Sequence, residues 1–443
     1  MPTSRRNFLK AGAAAAVTMS ALSSVPRVHA AGSDTIRIAL IGCGGRGRGA
    51  CFQALSTKEG PVELVAIADA FEDQAKGFAQ ILKADEEKAP LCTFTDDTIF
   101  SGLDSYKKAI DCLRPGIDLA LLVAPPAFRA MHFEYAVKRG VHVFLEKPFG
   151  VDTPTIKRSL AAWKMAQEKG LKVITGLNNR KYFRTEETVK KIQDGAIGDI
   201  LSCYVYRLHG PCRWNPRDEW SPLQNQLRNY NSFTWISGTP CVDWMVHNID
   251  ICCWSKGMHP TWVQGTGGRQ VREEKDELMD HIVCDYEFPD GVKLVMQVRH
   301  ISNTWSSFRS VIRGTKGMAV VGEGIGEPKI FKGYNVVNDD VIWKSEMPKN
   351  DSYQEEHNRL AKMIREDLPC EDVDFCIKSN FTGIMGRMAM ESGQELTWDT
   401  AWNSTYELCP NIDGLQFDGD SPYIMPDADG NYQTAKPGIT KRF

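Results

Sequence analysis

The pattern first becomes readable at Ile36, where Ile36-Arg37-Ile38-Ala39-Leu40-Ile41 forms a largely apolar run that stops at Gly42. Comparable runs recur at Val62–Ala68, ending at Asp69, at Leu119–Ala124, stopped by Pro125-Pro126, at Val141–Leu145 and at Leu171–Thr175. Between them lie stretches of helical character, Arg48–Leu55, Tyr106–Leu113, Phe128–Lys138 and the first part of 151–175. Strands that are apolar throughout and alternate with helices predict a parallel, doubly wound sheet covered on both faces. Beyond Gly176 the period changes. After a helix at Glu186–Asp194 and a strand at Ile200–Leu208, two runs of alternating residues, Ile282–Phe288 and Val292–Val298, flank Pro289-Asp290-Gly291 as a hairpin. Phe308–Arg313 and Met318–Val321 around Gly314–Gly317 form a second. The expected fold class is therefore an α/β domain at 33–176, an α+β domain with a large open, mostly antiparallel sheet at 177–408, and a turn-rich tail at 409–443.

Composition changes this picture little. A chain of 443 residues, 42% hydrophobic and 25% charged, has material for two or three globular domains. The net charge of −3, with no basic block, gives no sign of nucleic-acid binding. The N-terminus departs from this. Ser4-Arg5-Arg6-Asn7-Phe8-Leu9-Lys10 precedes a small apolar run, Ala11–Ala21, and then Val28-His29-Ala30, an A-x-A-like cleavage site. Residues 1–30 read as a twin-arginine export signal, implying a periplasmic protein. Their removal takes away Arg5, Arg6, Lys10 and Arg27 and moves the charge from −3 to −7. The run is too short to span a bilayer, and no later stretch is long enough, so no stable membrane insertion is expected. The 13 cysteines, an odd number without C-x-x-C spacing, read as buried small hydrophobes, and no metal site is expected.

The chemistry starts where the first strand ends. Gly42, Gly44 and Gly47 have G-x-G-x-x-G spacing at a strand-to-helix turn, with Gly45 and Arg46 between them. The first glycine permits the bend, the second lets backbone approach a pyrophosphate, and the third lets helix and strand pack closely. Asp69, 22 residues past Gly47, ends the second strand. There it can accept from ribose hydroxyls and repel a 2′-phosphate, favouring NAD over NADP; it also suits a helix N-cap. Together these features point to a Rossmann domain with its ligand at the carboxyl ends of the strands.

The order strand, G-x-G-x-x-G, acid, Ala124-Pro125-Pro126 loop and Glu146-Lys147-Pro148 resembles the glucose-fructose oxidoreductase, inositol dehydrogenase and rhizopine-catabolism (Gfo/Idh/MocA) family, and the stretch Thr382–Met390, with Gly393 and Leu396–Asp399 after it, resembles the terminal segment of its exported twin-arginine subgroup. The resemblance covers about residues 36–408. It implies a nicotinamide cofactor against Ala124, Pro125, Pro126 and Glu146, and Lys147 between cofactor and substrate, serving the reacting sugar oxygen. It also implies an antiparallel sheet whose outer face packs on a neighbouring subunit, hence a homo-oligomer, a dimer or tetramer.

Further along, Asp243-Trp244-Met245-Val246-His247-Asn248-Ile249-Asp250, if helical, places Asp243, His247 and Asp250 on one face. A carboxylate beside a histidine can fix its tautomer so that the other nitrogen takes a hydroxyl proton. The resemblance assigns His247 as general base and Asp243 as its orienting or substrate-binding partner, with Met245 where the family commonly has glycine. Asn178-Asn179-Arg180 matches a family position that meets substrate or cofactor, and capping of the next helix fits it equally. Asn178, Arg180, Asp250 and Trp235 are the expected substrate contacts. Trp235 belongs to a stretch, His209–Trp235, that also holds Trp214, Trp220, Arg213, Arg217 and Arg228, suited to a sugar ring or to a subunit interface. The expected activity is oxidation of a carbohydrate or polyol hydroxyl with tightly bound NAD. The alternatives are a glycosidase or lyase that uses NAD transiently and a non-catalytic sugar-binding protein. The Tyr-Pro-Thr-His stretch of one glycosidase subgroup is absent, which weighs against that subgroup.

Overall fold

Strands β1 (Ile36–Ile41), β2 (Val62–Asp69), β3 (Ile99–Ser101), β4 (Leu119–Leu122), β5 (His142–Leu145) and β6 (Val173–Thr175) form a parallel sheet in the order β3-β2-β1-β4-β5-β6. This is the doubly wound order, reversing direction between β1 and β4. The computed structural model describes residues 34–322, 327–335, 340–417 and 420–443, so the leader at 1–30 lies outside the described residues. Residues 36–443 form a single unit.

Apart from the edge strand β3, the strands are buried nearly end to end because helices cover both sheet faces: α1 (Gly45–Leu55), α2 (Glu72–Ala84), α3 (Ser105–Asp111), α4 (Pro126–Lys138) and α5 (Thr153–Glu168). The helix α1 begins at Gly45, three residues before the start that its apolar pattern suggested.

After α6 (Phe183–Gln193) the chain builds a second sheet from β7 (Ile200–His209), β8 (Trp262–Gly268), β9 (His281–Glu287), β10 (Lys293–His300), β11 (Ser307–Gly314), β12 (Gly317–Val321), β13 (Lys329–Phe331), β14 (Val341–Lys344) and β15 (Leu396–Thr397). Among the described residues its order is β14-β13-β12-β11-β7-β10-β9-β8-β15, antiparallel except where β7 lies parallel to β10. Both expected hairpins, β9–β10 and β11–β12, form. Alternate residues Ile282, Cys284 and Tyr286 are buried. They face the long helix Val373–Ser392, whose glycines allow close approach: a Cβ on Gly386 would lie 1.9 Å from the Tyr286 hydroxyl oxygen. The other face carries Tyr204 and Tyr206, with the Arg313 and Arg309 guanidinium groups over their rings.

Two features depart from the sequence reading. Asp243–Asp250 is not one helix: a short turn at Pro240–Asp243 is followed by Trp244-Met245 and then a separate helix, Val246–Lys256. The helix Ser352–Arg365, far beyond the expected boundary of the first domain, returns to it. Its Leu360, Ala361 and Ile364 share one apolar cluster with Ile38, Leu40, Leu64 and Phe144. An amphipathic stripe shows that a helix is buried on one side but not which sheet it covers. The tail likewise spans the fold, with Phe417 edge-on to Phe71 at 5.1 Å and Arg442 paired with Glu391 at 2.6 Å. Among the described residues no helix is long and apolar enough to cross a membrane, and no cluster of three metal-ligating side chains occurs.

Candidate active site

A cavity of about 920 Å³ opens at the carboxyl ends of β1, β2, β4 and β5. Its first wall is the glycine turn. Gly42 has φ +101°, and a Cβ there would lie 2.6 Å from the Ala124 backbone nitrogen. A Cβ on Gly47 would lie 1.8 Å from the Gly42 carbonyl oxygen, so strand and helix touch backbone to backbone. At Gly44 and Gly45 an added Cβ would meet nothing within 4 Å, and the space is open to a ligand. Asp69 lies on the same cavity and accepts from the Cys43 N–H at 2.7 Å and the Phe71 N–H at 2.9 Å. Burial nevertheless raises its carboxyl above the ordinary range.

Ala124, Pro125 and Pro126 form the next part of the wall, followed by Glu146 and Lys147 at the end of β5, with a cis bond between Lys147 and Pro148. Glu146 is buried and accepts from Arg46 at 2.8 Å; Arg46 also donates to the fully buried Glu356 at 3.1 Å. Arg46 is thus clamped by two acids, one of them from the returning helix. Lys147 Nζ donates to the Asp243 carbonyl at 2.6 Å and to its carboxylate at 3.1 Å. That contact joins the two domains across the cavity.

His247 lines the same cavity, and its buried Nδ1 has no hydrogen-bond partner among the described residues. Burial, then Lys147, Arg207 and Arg46, push its pKa well below the usual histidine value, so the ring is neutral. The expectation that Asp243 orients His247 is corrected here: the chain breaks between them, and the Asp243 carboxylate is bound to Lys147 instead.

The four expected substrate contacts are not brought into the cavity. Asp250 is fully buried, bound by Arg180 through two hydrogen bonds at 2.7 and 2.9 Å and by the Ser379 hydroxyl at 2.7 Å. Asn178 donates to Ser352, and Trp235 donates from its ring N–H to Gln226. Arg180, Asp250, the Asn178 amide nitrogen and the Trp235 ring nitrogen each have a partner within the fold, while the Asn178 amide oxygen is buried with none among the described residues, and the sequence could not show pairings over such separations. Asp250→Ala is expected to destabilise the fold by about 3 kcal/mol, because it leaves Arg180 buried beside only the peripheral Asp372. Urea denaturation measures it.

Residues to which the sequence reading gave no role, together with part of the stretch that it left between a sugar site and a subunit interface, complete the site. Arg207, Trp244, Phe308 and Tyr353 line the cavity, as do Arg213, Arg217, Trp220 and Arg228 of the aromatic and arginine-rich stretch. Arg228 reaches across to Asp73 at 2.6 Å and packs on Phe71, 3.8 Å from the ring centre, beside Asp69. No local motif marks Arg207 and Phe308; they arrive on neighbouring strands β7 and β11, paired in register.

Several histidines are held neutral by desolvation: the buried His132 down to about 3, and the buried His142 and His300 and the half-buried His259 down to about 4. For His300 the neighbouring Arg272 adds to burial in the same direction. Because their folded pKa values lie below the unfolded value near 6.5, the unfolded chain takes up protons first as the pH falls. Stability is then lost from about pH 6.5 down to about pH 4, and to about pH 3 for His132, by roughly 3 kcal/mol for a ring that moves from 6.5 to about 4. Thermal melts across that window are expected to show the midpoint falling as the solution is acidified.

A doubly wound sheet, a glycine turn with an acid at the next strand end, and a second domain that closes the cavity with Asp243 and His247 define a two-domain dinucleotide-binding protein. The comparisons agree. Residues 36–177 match the family model described as "Oxidoreductase family, NAD-binding Rossmann fold", and residues 186–320 match that of the "GFO/IDH/MocA C-terminal domain"; together the two take in more than half of the chain. The chain belongs to the Gfo/Idh/MocA oxidoreductase family. It is 27% identical over 256 residues to the glycosyl hydrolase family 109 protein 1 of Bacteroides fragilis, covering 54% of this chain and 51% of that one. It is 23% identical over 263 residues to the inositol 2-dehydrogenase of Rhizobium meliloti, covering 59% of this chain and 65% of that one. The chain spans about half the length of the first of these curated relatives. Solved structures share the fold: the aldose-aldose oxidoreductase of Caulobacter crescentus (TM-score 0.64, 16% identity) and the myo-inositol 2-dehydrogenase of Lactobacillus plantarum (TM-score 0.61, 19% identity), each covering 82% of this chain and 99% of the other.

Proposed function

We propose that the protein is a nicotinamide-dependent oxidoreductase acting on a carbohydrate or polyol hydroxyl. The observation that carries this reading is the pairing of Lys147 with Asp243 beside a neutral His247 in one cavity wall, next to the glycine turn. The residues fit a dinucleotide: open space at Gly44 and Gly45 for the phosphates, Asp69 for the ribose hydroxyls, and Ala124, Pro125, Pro126 and Glu146 along the nicotinamide half. When bound, such a cofactor supplies the hydride acceptor. Asp243 holds the Lys147 ammonium so that a remaining N–H can donate to the reacting oxygen. His247, neutral and lining the cavity, takes up the hydroxyl proton. Arg46 stays fixed between Glu146 and Glu356, keeping the lysine's neighbour in place.

NAD rather than NADP is the proposed cofactor, since a 2′-phosphate would face the Asp69 carboxylate. Asp69→Ser is expected to weaken NAD binding about tenfold while narrowing the preference over NADP, read by fluorescence titration of both cofactors. Tight retention fits a strap made by Arg228, bridging to Asp73 over the Phe71 ring. Export through the twin-arginine leader and assembly through the Tyr204 and Tyr206 face of the second sheet belong to the same proposal. Cell fractionation and sedimentation test them.

The family 109 relatives favour a second reading, a redox-neutral glycoside cleavage using the same lysine and histidine. Incubation with free sugars, polyols and aryl glycosides separates the two. Accumulating reduced nicotinamide supports the first, and aglycone release without it supports the second. If neither occurs with any compound, a non-catalytic sugar-binding role takes their place.

A further inference from the structure

We infer that Arg129 is a positioning residue for Lys147: its guanidinium fixes the turn that carries the lysine, so that the ammonium meets Asp243 across the cavity. The inference rests on the proposed proton handling by Lys147 and names the side chain that holds the lysine in place. Arg129 lies in the first part of α4, is 2% exposed, and lines the cavity together with Glu146, Lys147 and Asp243. Its guanidinium bridges the end of β4 and the turn that follows β5. Nη1 donates to the carbonyl of Leu122, the last residue of β4, and Nε donates at 3.4 Å to the carbonyl of Pro148, the residue after Lys147. The Leu122 carbonyl also accepts from the Glu146 N–H at 3.2 Å. The residue before the lysine therefore reaches this carbonyl directly, and the residue after it reaches the same carbonyl through Arg129.

Packing alone does not call for a cation here. Taking a guanidinium out of water is costly, and replacing buried ionic groups by apolar side chains of similar volume is often neutral or stabilising. Burial lowers the Arg129 pKa to about 10, while Glu146 and then Asp243 oppose the fall, so the group stays charged at neutral pH. These are the two carboxylates that frame Lys147: Asp243 accepts from its ammonium, and Glu146 accepts from its backbone N–H at 3.1 Å. The charge of Arg129 thus acts on the acids beside the lysine, and its planar fork presents N–H groups in fixed directions to two carbonyl oxygens, where an ammonium is a point donor. The second domain holds the same turn one residue further on, where the Phe149 N–H donates to Asn380 Oδ1 of the helix Val373–Ser392 at 2.6 Å. That bond holds Phe149; Arg129 holds Pro148, next to the lysine. A reacting group displaced by about 1 Å can lose on the order of 100-fold in rate, so anchoring this residue bears directly on the chemistry.

The test compares the purified protein with its Arg129→Gln and Arg129→Lys variants, each with NAD added. Deuterium transfer to the nicotinamide from carbon-deuterated sugars and polyols is followed by mass spectrometry, NAD binding by fluorescence titration, and the Lys147 contact by a crystal structure of each variant. Arg129→Gln is expected to slow transfer about 10- to 100-fold. NAD binding is expected to stay within about threefold of the wild type. Arg129→Lys is expected to recover only part of the rate, since it restores the charge but not the fork. In the Arg129→Gln crystal the Lys147 ammonium is expected to stand beyond hydrogen-bond reach of Asp243, with β4 and β5 in place. An unchanged rate in Arg129→Gln, full recovery in Arg129→Lys, NAD binding lost in proportion to the rate, or an intact Lys147–Asp243 contact in the Arg129→Gln crystal would each overturn the inference. Failure of both variants to fold would also overturn it, assigning Arg129 to stability. If the wild type transfers no deuterium from any compound, the oxidoreductase reading falls and the crystal structures decide this inference by themselves: a broken contact supports it, and a kept one removes it.

Discussion

Lys147→Ala is expected to lower kcat by roughly 10²- to 10⁴-fold, the range for losing a positioned proton-transfer group, while nicotinamide-cofactor binding is kept. The reason lies in how the lysine is held. Its ammonium is fixed by both the carbonyl and the carboxylate of Asp243, at 2.6 and 3.1 Å, and its backbone follows Glu146, which is tied to Arg46. Truncation removes the only one of these groups that is both cationic and directed across the cavity to the second domain. It leaves the glycine turn, Asp69 and the Arg46 clamp unchanged. Lys147→Arg is not expected to restore activity, because a planar fork cannot reproduce the compact ammonium between Asp243 and a substrate oxygen. Single-turnover kinetics together with the cofactor content of the purified variant separate a chemical defect from a loss of binding.

Gly47→Ala is expected to cost several kcal/mol and to abolish cofactor retention. An added Cβ would lie 1.8 Å from the Gly42 carbonyl oxygen and 2.9 Å from its carbon. Both are backbone atoms in a turn already fixed by Gly42 at φ +101° against Ala124, so no side chain can move to relieve the clash. Helix α1 must shift away from β1, which opens the turn at the phosphate site. Gly45→Ala, where the added Cβ meets open space, is expected to keep the fold. Denaturation midpoints of the two variants, measured side by side, test the contrast.

These two positions were legible in the sequence because their chemistry is local. Gly42 to Gly47, Asp69 and Glu146-Lys147 each follow an apolar strand, and a parallel sheet brings strand ends together whatever the loops between them do. His247 and Asp243 were legible as a motif, but not their partners. The eight-residue stretch does not form one helix, so Asp243 turns to Lys147, 96 residues away, and not to His247. Arg180 and Asp250 were misread for the reason that makes charged residues conspicuous in a sequence. Their pairing in the interior depends on the packing of the helix Val246–Lys256 against Asn178–Lys181, which no spacing reveals. Arg207 and Phe308 remained silent because the register of β7 with β11 places them together, and strand order in a mixed sheet is not encoded by alternation alone. The helix Ser352–Arg365, which brings Glu356 to Arg46, showed the same limit at the level of domains.

The proposed reaction turns on hydrogen leaving a sugar carbon for a nicotinamide whose phosphates lie at the glycine turn, while Lys147 and His247 manage the hydroxyl proton. Both the net oxidation and the redox-neutral cleavage pass through that transfer. The most direct measurement is mass spectrometry of the cofactor released after the protein has been incubated with carbon-deuterated sugars, polyols and sugar acids. The account predicts that deuterium appears on the nicotinamide ring with at least one of these compounds and is absent from the Lys147→Ala protein over the same interval. A nicotinamide that acquires no deuterium from any of them, or that acquires it equally without Lys147, would contradict it.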